Sequence, residues 1–164
     1  MADDQLLAAY LNDHLAGSMA GRELASACAA ENEGTDLGAF LSDLHLQIKQ
    51  DQSTLQDIMS RLGVATDPLK EVGGWVLQKM GSLRFSTSLT GSAHLSNLMQ
   101  LETLAMGIQG KLCLWQALRD RTDVASELDG IDLADLVDRA ERQLRELQEP
   151  RLNQAAHALS DSGS

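Results

Sequence analysis

Leu37, Leu41, Leu44, Ile48, Asp51, Leu55, Ile58 and Leu62 follow one another at alternating steps of four and three. This unbroken seven-residue repeat is the pattern of a helix packing along a bundle seam. Seven of the eight positions are Leu or Ile, and the eighth is Asp51. The repeat commits the segment to helix. A carboxylate in an apolar seam costs free energy unless a partner satisfies it, so Asp51 is the position at which function can be asked about.

A chain of 164 residues is the size of one domain and can bury a core. Aromatic residues make up only 3% and there are two prolines, while Leu and Ala dominate, which favours helices over strands. A net charge of −11 argues against nucleic-acid partners and anionic membrane surfaces, both of which need clustered Lys and Arg. The opening MADDQLLAAYLNDH lacks the basic segment and apolar run of a signal peptide, and no stretch is apolar enough to span a membrane. Cys28 and Cys113 lie in helical patterns; one disulfide is possible, but they read as buried free thiols in a reducing cytoplasm.

Four long helices are expected. The first runs from about Asp4 to Ala30, with a seam of Leu7, Leu11, His14, Ser18, Gly21, Ala25 and Cys28. Gly34 suits its C-terminal turn, and Thr35 or Asp36 suits the next N-cap. The second ends at Leu62, before Gly63. The third begins at Ser92 as N-cap and runs to about Arg121, carrying Leu95, Leu98, Leu101, Leu104, Ile108, Leu112, Trp115 and Leu118. A polar connection over 122–131 leads to the fourth, which starts near Asp132. Pro150 should kink it, and Leu152, Ala155 and Leu159 should continue its apolar stripe.

The short connections make two antiparallel hairpins. Between the second and third helices lie about 29 residues, enough to run the roughly 39 Å length of a second helix of about 26 residues. Those two helices should therefore be parallel. Within the crossover, Asp67-Pro68 opens a short helix to about Met80, whose Trp75, Val76 and Met80 can cover one side of the bundle. The expected fold is an all-α four-helix bundle of one domain, residues 1–160, with a flexible tail at 161–164.

This arrangement, together with the third-helix segment LETLAMGIQGKLCLW from Leu101 to Trp115, resembles the ferritin-like superfamily. The resemblance implies a di-iron or di-manganese site, built from single Glu residues on two helices and a Glu-x-x-His motif on each of the others. This sequence contains no Glu-x-x-His, and its second helix contains no Glu. Glu141 has Leu144 three residues later, where the motif requires histidine. Glu102 is the one residue at a plausible family ligand position. A dinuclear carboxylate centre is not expected.

The remaining polar residues can be placed by hairpin arithmetic. Folding about residues 33 and 34 sets His14 level with about position 53, so Asp51 lies about 3 Å away along the axis. A buried His14–Asp51 hydrogen bond is expected, with half of a reduced metal site as the sharper alternative. About a centre near residue 126, Glu102 comes level with position 150, predicting a Glu102–Arg151 ion pair. His94 and His157 come out nearly level, and His45 faces Arg22 and Glu23.

Gly17, Gly21, Gly107 and Gly110 interrupt helical patterns at about 1 kcal/mol each against Ala. Close helix approach is the leading explanation, and a ligand cavity beside Asp51 the other. No nucleophile elbow, zinc-type cysteine pair or dinucleotide fingerprint occurs. The sequence therefore points to a non-catalytic bundle without a cofactor, acting as a homo-oligomer or with a protein partner. The alternative is a metal-binding protein using iron or manganese for oxygen or peroxide chemistry, with His14, Asp51 and Glu102 as candidate ligands. A third possibility is a small-ligand carrier with a core cavity near His14 and Asp51.

Overall fold

The computed structural model describes residues 2–66 and 92–160. Their elements are α1 (Ala2–Glu31), α2 (Asp36–Arg61), α3 (Ala93–Arg119) and α4 (Leu133–Ser160), with a 3-10 turn at Thr122–Val124. No strand occurs among the described residues. The fold is an all-α four-helix bundle, as the periodicity predicts. The expected short helix from Asp67, the rest of that crossover and the 161–164 tail lie outside the described residues.

Local chemistry sets the helix ends. Thr35 is the N-cap of α2, and its Oγ1 accepts a hydrogen bond from the Gly38 backbone N–H at 3.0 Å. Gly38 is required by close approach, since a Cβ there would lie 2.1 Å from the Asn32 carbonyl oxygen. At the other end Gly63 takes φ +65°, and Val64 N–H bonds the Met59 carbonyl at 2.8 Å. This is a glycine-terminated helix end that satisfies a last-turn carbonyl. Ser92 caps α3 by accepting from Leu95 N–H at 3.3 Å. Asp132 accepts from Asp135 N–H at 2.9 Å at the start of α4.

The α2 seam is buried as its repeat requires: Leu41, Leu44, Ile48, Asp51, Leu55 and Ile58 are all interior. Each such Leu or Ile contributes about 1.5–3 kcal/mol of burial. Helices α1 and α2 form one hairpin, α3 and α4 the other, and α1 also packs on α3. Two contacts orient the hairpins. Asn32 and Asn97 exchange side-chain amide hydrogen bonds of 3.1 and 3.0 Å, joining the end of α1 to the start of α3. Arg61 Nη1 donates to the Asp129 carbonyl at 2.7 Å, joining the end of α2 to the α3–α4 connection. Helices α2 and α3 therefore run parallel.

Two expectations are corrected. Leu152 and Leu159 do not extend the buried stripe of α4; they are 57% and 67% exposed, and no α4 residue beyond Leu147 is buried. Beyond Pro150, α4 remains helical and makes polar contacts, among them Gln154 with His94 at 2.9 Å. The 122–131 connection is less polar in role than in composition, because Val124 and Leu128 enter the core. No described helix is long and apolar enough to cross a membrane.

Candidate functional site

Asp51 is only 3% exposed, and its partners come from the opposite hairpin. Lys111 Nζ on α3 lies 2.5 Å from Asp51 Oδ2. Arg139 Nη2 on α4 lies 2.8 Å from Oδ1 as an ion pair; Oδ1 has no aligned hydrogen-bond donor. Gln143, one helical turn beyond Arg139, donates from Nε2 to Asp51 Oδ2 at 3.3 Å and to Gln47 Oε1 at 2.9 Å. Its Oε1 accepts from Lys111 Nζ at 2.5 Å. One carboxylate thus holds two largely buried cations. Burial pushes the Lys111 ammonium below its ordinary pKa, and the adjoining Asp51 opposes that shift.

The expected His14–Asp51 hydrogen bond does not form. His14 instead makes an edge-on ring contact with Tyr10, centroids 4.5 Å apart. Burial holds its imidazole below the usual pKa, with Asp13 opposing. Hairpin arithmetic sets height along the axis but not the direction in which a side chain points. Asp51 faces α3 and α4, where cations outcompete a neutral imidazole. Glu102 does meet Arg151, at 3.5 Å. His94 and His157 stack with centroids 4.8 Å apart, and His45 Nδ1 lies 3.1 Å from the Arg22 carbonyl oxygen.

The sequence reading missed Lys111, Arg139 and Gln143, although two of them carried a signal. Leu101, Leu104, Ile108, Lys111, Trp115 and Leu118 form an alternating three-and-four line, as do Leu136, Ala140, Gln143 and Leu147. Each line has one polar member, like Asp51 on α2. Three such interruptions on three helices meet in one cluster.

Beside this cluster, between α1 and α3, lies a pocket of about 330 Å3. Gly17 and Gly21 of α1 and Gly107 and Gly110 of α3 line it. Among the described residues, a Cβ built on any of the four would meet nothing within 4 Å. These glycines therefore do not serve close helix packing, the expectation they first suggested; they leave space. Leu24, Ile48, Leu55, Leu104, Ile108 and Leu114 supply apolar walls. Asp51, Lys111 and His14 also line the pocket.

Two further wall residues have unmet polar atoms. Gln52 Oε1 and Trp115 Nε1 are buried without a hydrogen-bond partner, in side chains 6% and 1% exposed. An unpaired buried polar group costs about 1–3 kcal/mol, and both atoms belong to residues that line the pocket.

The donor set does not fit a metal ion. Lys111 and Arg139 occupy Asp51, and both repel a cation. Glu102 lies beside Arg151, and His14 has no carboxylate hydrogen-bonded to it. Among the described residues no group of three or more His, Cys, Asp or Glu side chains is placed to hold a metal. No protein-family model, curated protein or solved structure matches the chain significantly, so the site is read from its own residues.

Proposed function

We propose that the protein is a non-catalytic bundle that binds a small, largely apolar molecule between α1 and α3. The observation that carries this reading is the set of four helical glycines whose missing side chains leave the pocket open. Each costs about 1 kcal/mol of helix stability against Ala, and no close contact requires it. The pocket volume of about 330 Å3 lies within the roughly 300–1,000 Å3 of small-molecule sites. Mostly apolar walls with a few polar groups among them are likewise typical of such sites. Asp51, the one buried acid among the described residues, is held between cations, an arrangement suited to structure rather than to proton transfer.

Toluene tests the reading. It should raise the melting temperature of the wild type by mass action and leave that of Gly21→Leu unchanged. Equal shifts in both proteins, or none in either, would count against a pocket at this place.

The order of the hairpins and the parallel α2 and α3 support descent from ferritin-like bundles, which is part of the proposal. Cys28 is buried, whereas Cys113, expected to be buried, is exposed; neither forms a disulfide, which supports a reducing, cytoplasmic location. Association with a second copy or a protein partner is a second reading. It is favoured by Leu152 and Leu159, exposed one heptad apart on α4. Light scattering that finds a strict monomer would remove the self-association half of it.

A further inference from the structure

We propose that the molecule bound between α1 and α3 is an apolar monocarboxylate, its head group at Lys111 and Trp115 and its body along the glycine faces. The proposal rests on the reading of the pocket as a binding site and adds the ligand's chemistry.

Charge is the first argument. Within the buried cluster Asp51 supplies one negative charge against the two positive charges of Lys111 and Arg139. The side chains of those cations are only 13% and 15% exposed. One positive charge therefore lacks a counter-ion in a poorly solvated place, which is costly. Of the two cations, Lys111 is the one that lines the pocket. Asp13 also lines it, but is exposed, so solvent and salt screen its charge.

Hydrogen-bond supply is the second. An ammonium has three N–H groups, and Lys111 directs hydrogen bonds to Asp51 Oδ2 and Gln143 Oε1, which leaves one. Trp115 Nε1 is a donor only, is buried, and has no acceptor. The wall thus holds two N–H groups without acceptors beside an excess positive charge. A carboxylate is acceptor-only, singly charged and carries two oxygens, one for each donor. An amine would add to the positive excess. A phosphate would bring a second charge and more acceptors than these donors meet.

Size sets the body. A cavity of about 150 Å3 holds benzene, so one of about 330 Å3 takes a medium-length alkyl chain or a two-ring aromatic group.

Calorimetric titration of the whole protein with octanoate and 1-naphthoate, and with the matched neutral 1-octanol and 1-naphthalenemethanol, tests the head group and the body separately. At least one acid should bind about tenfold or more tightly than its alcohol, the scale of a hydrogen bond to a charged group. Tighter binding of octanoate assigns an alkyl body and of 1-naphthoate an aromatic one; either outcome supports the proposal. The preference for acid over alcohol should vanish in Lys111→Met, where Arg139 still pairs Asp51. It should fall in Trp115→Phe, which keeps the ring and leaves the ion cluster untouched. Equal affinity for acid and alcohol overturns the carboxylate while leaving the pocket as a binding site. Failure of all four probes and of toluene overturns both.

Discussion

Lys111 and Asp51 meet at 2.5 Å although they stand on α3 and α2, which belong to different hairpins and lie diagonally in the bundle. Arg139 closes on the other carboxylate oxygen at 2.8 Å. One anion shared by two cations makes the three residues unequal. Asp51→Asn leaves both cations without a counter-ion and should cost about 3–5 kcal/mol. Lys111→Met leaves a balanced Asp51–Arg139 pair and should cost clearly less. Urea unfolding of the two variants measures the difference. An equal cost would mean that Arg139 contributes no compensation.

The glycines make opposite predictions at different places. Gly107→Ala and Gly21→Ala meet open space and gain helix propensity, so each should stabilise the protein by about 0.5–1 kcal/mol. In a domain of this size that raises the melting temperature by about 2–4 °C per kcal/mol. Gly38→Ala pushes a Cβ to 2.1 Å from the Asn32 carbonyl and should destabilise by about 1–3 kcal/mol. Thermal melts of all three decide between space and contact at these sites. A loss of stability in Gly21→Ala would restore the close-packing explanation.

His14 links stability to pH. Its folded pKa lies below the ordinary value of 6.5 because burial disfavours the charged ring. Well above 6.5 the ring is neutral in both states and contributes no pH dependence. As pH falls below 6.5 the unfolded chain takes up the proton first, so the folded state loses stability until the folded pKa is passed. His14→Gln should flatten that part of the stability-versus-pH curve, measured by urea unfolding between pH 7.5 and 5. An unchanged slope would show that His14 titrates as it does in the unfolded chain.

Metal uptake provides a check on the electrostatics of the cluster. Incubation with Fe2+ or Mn2+ followed by gel filtration and elemental analysis should leave the wild type without stoichiometric metal. Asp51→Asn should behave the same way, because two cations stand where a metal would have to bind. One equivalent of metal retained by the wild type and lost in Asp51→Asn would contradict the arrangement of charges at Asp51.

The elements and their order were legible in the sequence because they depend on neighbours along the chain. The α2 repeat, Thr35 and Ser92 as caps, and Gly63 as a stop are all local signals, and each one holds in the structure. Level arithmetic also worked where only height mattered, as for Glu102 with Arg151 and His94 with His157. It failed for His14 and Asp51, because the partner of a buried carboxylate depends on which way each helix is turned about its axis.

The glycines mark the same boundary. Their positions show that four side chains are missing, and periodicity places them on α1 and α3. Whether two helices close over such a face or stand apart is set by the separation of their axes. That separation is fixed by every other contact in the bundle, among them the Asn32–Asn97 amide pair. The sequence by itself determined a helical bundle with a polar residue in its seam. Only the tertiary structure decided that this residue would hold two cations from the other hairpin, and that the glycines beside it would line a pocket.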